Sequence, residues 1–338
     1  AAKALRAMRR RELLRIALSS MVGISDIGAV GAALTELATA FLEGILALSR
    51  TPDDGIEFAI IGMGRLGGAE LSFGSDLDVL YVYRDSGAGD QASQVANTVV
   101  KKLTALSEDV LFPLDLDAGL RPEGKNGPLV RSLDAFSQYY QRWALGWEAQ
   151  ALLRAARLVG DRTLQDDFLT MAATYRYPAS FSDDQAREIR RIKARMEAER
   201  LPQGVDPSRH LKLGRGSLSD VEWAIQLLQL RHGHQYPDIR TPSTLDAMDR
   251  CVEHNLLEPG DAQYLREAWL LASRVRAALA LYGASSTDVL PIHRQGLEGA
   301  ARLMGYSRGG ASELEDTYLK VTRHSRAVFE RVFYDKSV

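Results

Sequence analysis

Asp76 and Asp78 stand with one residue between them at the start of an apolar run, Leu77 to Tyr83, that reads as a β-strand. Strand side chains alternate between faces, so carboxylates at this spacing point the same way. Two like charges held that close repel unless a cation lies between them, and hard carboxylate oxygens suit Mg²⁺, which keeps several waters and takes further ligands from substrate phosphates. Just upstream, Gly67 and Gly68 offer a backbone that can approach a triphosphate, with Glu70 and Ser75 between them and the acidic pair. A third carboxylate, Asp117, lies on the strand-like run Phe112 to Asp117, with Asp115 sharing its face. Three carboxylates around two ions can stabilise both the attacking and the leaving oxygen of an in-line displacement. A solvated strand start is the plainer reading of an isolated D-x-D. The glycine pair, Ser75 and the further acidic strand favour the metal site.

Gly62-Met63-Gly64-Arg65-Leu66-Gly67 after an apolar strand also matches the dinucleotide-binding fingerprint, with Asp85 ending the next strand as the ribose-binding acid. That fold needs a crossover of about a dozen residues or more, usually helical, between parallel strands. The stretch from Gly68 to Asp76 is shorter and is broken by Gly74, so the dinucleotide reading is set aside.

The elements that must position these groups follow from periodicity. Leu34, Leu37, Phe41, Ile45 and Leu48 fall at helical spacing within residues 1–50, and Gly23 and Ser25 divide that stretch into two helices. Strand signals begin at Thr51, with Phe58 to Ile61, Leu77 to Tyr83 and Phe112 to Asp117, and a helix over Gln91 to Ser107 between the last two. Beyond Ser132 the pattern is helical. Ser182 opens a charged helix, Ser219 and Glu222 form a capping-box pair, Asp261 opens another helix, and a last one runs from about Ser312 to Phe333. Cap and first-turn roles account for Glu222 and Asp220, with a cleft role as the alternative. Lys212 and Arg215 lie in a glycine-broken stretch ahead of a helix, where anions bind readily, or else form a solvated loop.

Composition closes off other classes. The chain has 338 residues, enough for two domains, with 42 lysines and arginines against 44 aspartates and glutamates. No bulk field gathers nucleic acid or an anionic membrane, and Arg9-Arg10-Arg11 reads as a solvated helix face. The single cysteine, Cys251, fits a reducing compartment, and the cytoplasm is expected. The six histidines lack zinc spacing, and no serine or cysteine triad is suggested. The apolar run Phe58 to Met63 is far shorter than the roughly 20 residues of a membrane span. A chain that starts at Ala1 inside a helix is expected to be a piece of a longer polypeptide.

Gly62 to Leu71, Ser75-Asp76-Leu77-Asp78, Asp117 with Leu120-Arg121-Pro122, Gly127 to Val130, Trp147-Glu148-x-Gln150-Ala151-Leu152 and Lys212 to Trp223 resemble, in order, the motifs of glutamine synthetase adenylyltransferases. The resemblance covers nearly the whole chain. It implies an α+β fold, a polymerase-β-like nucleotidyltransferase core with a small mixed sheet followed by an all-α helical bundle. The expected domains are N-terminal helices over 1–50, the nucleotidyltransferase core over 51–160 and the bundle over 161–338. By position, Asp76, Asp78 and Asp117 would hold two Mg²⁺ ions and Asp117 would act as general base. ATP phosphates would meet Gly67, Gly68, Ser75 and Lys212. Gly119 stands where many relatives have arginine, which leaves Arg65 or Arg121 to supply a phosphate contact. The implied partners are glutamine synthetase, a PII-type signal protein and the other half of the same polypeptide. The Trp147 to Arg154 and Ser219 to Glu222 segments look closer to the adenylylating half than to the half that removes AMP by phosphorolysis. A nucleotide-sensing module without turnover is the reading from another class.

Overall fold

A computed structural model of the chain describes residues 1–143, 146–283 and 288–335. The expected α+β class is what it shows. Two compact units form, one of residues 1–20, 28–71 and 75–176, the other of residues 21–27, 72–74 and 177–338.

The first unit begins with α1 (Ala2–Met21) and α2 (Ile27–Ser49). Helix α2 is long and apolar enough to span a membrane by composition, with mean hydropathy 1.5, a feature the short Phe58 to Met63 run does not reveal. Its Val30, Leu34, Phe41, Leu42 and Ile45 are instead buried in the protein, the behaviour of a core helix. Next come β1 (Ile56–Gly62), the single turn α3 (Gly64–Gly67) and β2 (Leu77–Asp85). Strands β1 and β2 are antiparallel, with Gly62 opposite Val79. A dinucleotide fold, which needs them parallel, is thereby excluded.

Helix α4 (Ala92–Ser107) leads to β3 (Leu116–Asp117), β4 (Val130–Ser132), α5 (Leu133–Trp143), α6 (Gly146–Leu152), β5 (Ala156–Gly160) and α7 (Arg162–Arg176). The sheet order is β3-β2-β1-β5, with β4 also pairing β2. Both β3 and β4 run parallel to β2, while β5 is antiparallel to β1. Alternate residues Ala59, Ile61, Leu80 and Val82 turn to one face and pack with Phe136, Tyr140, Leu164 and Phe168 from α5 and α7.

Three expectations change here. The strand expected over Phe112 to Asp117 shrinks to two residues, because Val110, Leu111 and Phe112 are exposed and Pro113 has no N–H for a ladder. Strand β5 lies beyond Ser132, where no strand was expected. Helix α7, placed with the bundle by its periodicity, belongs to the sheet unit because Leu164, Phe168 and Ala172 fill the sheet's core.

The arginine run is also less solvated than expected. Arg9 is buried, donates to the carbonyls of Phe112 and Pro113 and lies over the Phe41 ring, while Arg10 pairs with Asp109 at 3.1 Å. Only Arg11 of the three is exposed.

The second unit is helical: α8 (Asp183–Glu199), α9 (Leu218–His232), α10 (Thr244–Glu253), α11 (Pro259–Gly283), α12 (Arg294–Leu303) and α13 (Ala311–Tyr334). Ser182 caps α8 in a reciprocal box with Gln185. Ile225, Met248, Cys251, Leu265, Trp269, Leu297 and Tyr318 share the bundle's core. The end of the expected bundle span, residues 336–338, lies outside the described residues.

Candidate active site

The chemistry-bearing groups of the sheet unit gather where β1 ends and β2 and β3 begin. Parallel pairing places Leu77 opposite Leu116 and Asp78 opposite Asp117, so the two aspartates sit side by side on one face of the sheet. Asp76 is exposed in the extended segment leading into β2, two residues before Asp78. One oxygen of Asp117 accepts the Gly119 N–H at 2.7 Å, which fixes that carboxylate. The Asp115 backbone carbonyl accepts the Leu77 N–H at 2.8 Å and anchors the start of β3.

Two glycines lie against these carboxylates. A Cβ on Gly64 would lie 2.1 Å from Asp78 Oδ2, and one on Gly119 would lie 2.9 Å from Asp117 Oδ1. Gly64 also has φ +51°, a conformation that glycine adopts without the penalty of a Cβ.

The glycine pair has a different role from the one its composition suggests. Gly67 donates its N–H to Met63 at 2.8 Å and Gly68 to Gly64 at 3.2 Å, so both groups close the α3 turn. A Cβ on Gly67 would come within 1.8 Å of the Arg154 carbonyl oxygen. Close packing of the turn requires this glycine. Arg121 is likewise engaged with its own loop, donating to the carbonyls of Ala118, Lys125 and Gly127. Arg65 donates Nε to the Glu70 carbonyl at 2.6 Å across the same turn. Ser75 is half-buried beside Asp76.

Sequence reasoning missed Arg154. It is buried, forms an ion pair with the buried Glu70, and donates Nε to the Gly64 carbonyl at 3.0 Å. The available signal was a charged Glu70 set among glycine and apolar residues. Nearby, Glu148 is buried and accepts the Tyr139 hydroxyl at 2.8 Å. Burial, then that bond, pushes the Tyr139 pKa up. Trp147 is half-buried.

Lys212 lies in the other unit, with Arg215, on an exposed stretch of a braced loop. His210 Nδ1 accepts the N–H groups of Lys212 and Leu213 at 3.2 and 3.0 Å, and burial holds the His210 pKa below its ordinary value. The residue preceding α9 is Ser217, and Ser219 and Glu222 form no capping box. Ser219 instead accepts from Lys193 at 3.2 Å, and Asp220 is fully buried between Lys193 at 2.6 Å and Arg326 at 2.9 Å. Burial opposes the charge on Arg326, yet Asp220 and Glu197 outweigh it and raise its pKa.

Among the described residues, no three His, Cys, Asp or Glu side chains gather into a ready-made metal cage. Asp78 and Asp117 meet on adjacent strands with Asp76 two residues ahead, all three offering oxygen ligands only, and Gly64 leaves space beside the Asp78 carboxylate. Such a set suits an ion that completes its shell with waters and substrate oxygens.

Residues 1–171 match the family described as glutamate-ammonia ligase adenylyltransferase. The chain belongs to this family. Residues 186–333 match a second family, described as GlnD PII-uridylyltransferase. Relatives of the adenylyltransferase family include a bifunctional glutamine synthetase adenylyltransferase/adenylyl-removing enzyme of Leifsonia xyli, 54% identical over 99% of this chain and 34% of the relative. Proteins of the same description from Mycobacterium avium and Mycobacterium tuberculosis are 47% and 45% identical, each over 97% of this chain and 34% of their own length. The chain thus spans about a third of these adenylyltransferase relatives.

Proposed function

We propose that this chain transfers AMP from ATP to a tyrosine hydroxyl of glutamine synthetase and releases pyrophosphate. The observation that carries the reading is the register of Asp78 against Asp117 on adjacent parallel strands, with Asp76 leading into the first. These three residues would hold two Mg²⁺ ions, which supply charge neutralisation at the triphosphate and at the attacking and leaving oxygens. Ser75 flanks the phosphates beside Asp76, and Arg65 and Arg121 are the cationic candidates of the same unit. A tyrosine hydroxyl ionises near pH 10, so it needs a base, and Asp117, oriented by Gly119, accepts its proton. The tyrosine oxygen bonds to the α-phosphorus as the bond to the β-phosphate breaks.

Chelation is expected to abolish turnover reversibly without lowering the melting temperature, because among the described residues no closed protein cage surrounds an ion. Activity that survives exhaustive chelation, or unfolding on chelation, counts against this arrangement.

The opposite direction, phosphorolysis of adenylyl-tyrosine to ADP, uses the same carboxylates, and the relatives are named for both activities. The segments Trp147 to Arg154 and Ser219 to Glu222 favour attachment. The deciding experiment offers the chain unmodified glutamine synthetase with labelled ATP, and separately the adenylylated form with phosphate. Label transfer in the first mixture is expected; ADP in the second with none in the first reverses the direction, and nucleotide binding without either product favours a sensing module. The likeness of residues 186–333 to PII-uridylyltransferases supports a PII-type protein as regulatory partner, and the cytoplasm is the compartment that fits these partners.

A further inference from the structure

We infer that Arg154 is a positioning residue for the carboxylate of Asp78, acting through the Gly64 turn, a role that rests on the nucleotidyl-transfer reading of the site. The turn touches Asp78 twice. Its Met63 N–H donates to the Asp78 main-chain oxygen at 2.8 Å, and the Gly64 α-carbon lies so close to the carboxylate that a Cβ would meet Oδ2 at 2.1 Å. Whatever sets the orientation of the Gly64 peptide therefore sets where Asp78 lies relative to Asp117.

Arg154 sets that orientation. Its Nε donates to the Gly64 carbonyl at 3.0 Å, while another nitrogen of the same planar guanidinium pairs with Glu70 at the far end of the turn. Glu70 is tied back to Arg65 through its carbonyl at 2.6 Å and its N–H at 2.8 Å. The Arg154 main chain closes on the turn as well, its carbonyl oxygen occupying the space a side chain at Gly67 would need. A guanidinium holds two acceptors at a fixed angle, whereas a lysine ammonium on a flexible stem does not reproduce that fork. Both partners of the ion pair are buried, so the geometry is not loosened by water.

The test is Arg154→Lys, with Glu70→Gln as a second variant of nearly unchanged shape. Binding of Mn²⁺ with a non-hydrolysable ATP analogue is followed by electron paramagnetic resonance, separately from AMP transfer, and folding by circular dichroism and melting temperature. Displacing a reacting group by about 1 Å commonly costs on the order of 10²-fold. Arg154→Lys is expected to weaken Mn²⁺ binding and lower turnover, by about tenfold to a hundredfold, in a folded protein. Arg154→Ala is expected to regain part of both when guanidinium is added, which a general packing defect would not show. If Arg154→Lys does not fold, Glu70→Gln decides, and it is expected to weaken Mn²⁺ binding in the same direction. Folded variants with unchanged Mn²⁺ affinity and turnover overturn the inference. A wild-type chain that binds no Mn²⁺ with nucleotide overturns the underlying reading of the site instead.

Discussion

Replacing Asp78 by asparagine is expected to lower AMP transfer by about 10²–10³-fold or more, with the protein still folded, and Asp76→Asn is expected to behave similarly. Neither residue sits in the apolar core; Asp76 is exposed and Asp78 half-buried at the mouth of β2. The amide keeps the shape and loses the charge. Leu77, between them, keeps its N–H on the Asp115 carbonyl, and the β1–β2 register from Gly62 and Val79 onward involves neither side chain. What changes is the electrostatic match to a cation and to the charge that develops on the transferred phosphate. Circular dichroism should be unchanged while label transfer to glutamine synthetase collapses. A folded Asp78→Asn chain with near-normal transfer would remove this face of the sheet from consideration as the active site.

The parts of this architecture legible beforehand are those with strong local signals. Helices α1, α2 and α4 and strands β1 and β2 follow from periodicity and from Gly23, Gly55 and Gly74 at their edges. The rejection of a dinucleotide fold also followed from chain length between strands, and the antiparallel pairing agrees. Short elements were less visible. Strand β4 has three residues and β5 alternates weakly around Arg157, so their identity comes from pairing with β2 and β1. At the candidate site, the placement of Asp76 and Asp78 at the start of β2 and of Asp117 on β3 was legible from type and spacing, because strand geometry dictates it, while their joint role is the proposal made above. Arg154 and the internal use of the Gly67 and Gly68 N–H groups were not, since both depend on how a single turn closes against a distant strand. Asp220 was misread for the same reason: its partners come from α8 and α13, and a capping pattern was the nearest local explanation.

Asp220→Ala is expected to destabilise the helical unit by about 3–5 kcal/mol, the range found when one partner of a buried ion pair is removed. The magnitude separates two readings of the residue. An acid whose task is to cap a helix or complement its dipole contributes about 1 kcal/mol. Asp220 is 0% exposed, with Lys193, itself 1% exposed, 2.6 Å from Oδ1 and Arg326 2.9 Å from Oδ2. Oδ2 also accepts the N–H of Gly216 at 2.6 Å. Removing the carboxylate leaves Lys193 with Glu197 at 3.0 Å, a partner still 23% exposed, and with the Ser219 hydroxyl. The rings of Trp223 and Phe329 near its ammonium recover only part of what the carboxylate supplied. The Gly216 N–H loses its acceptor inside the protein, at a glycine with φ +72° whose Cβ would collide with the Thr322 carbonyl at 1.8 Å, so the loop cannot easily turn to find another. Denaturant unfolding of the wild type and the variant measures the difference. Replacing Lys193 by methionine along with Asp220→Ala should cost less than the sum of the two single changes, because the stranded buried charge is gone. A loss near 1 kcal/mol for Asp220→Ala, with additive behaviour in the double variant, would return Asp220 to the capping role its sequence position suggests.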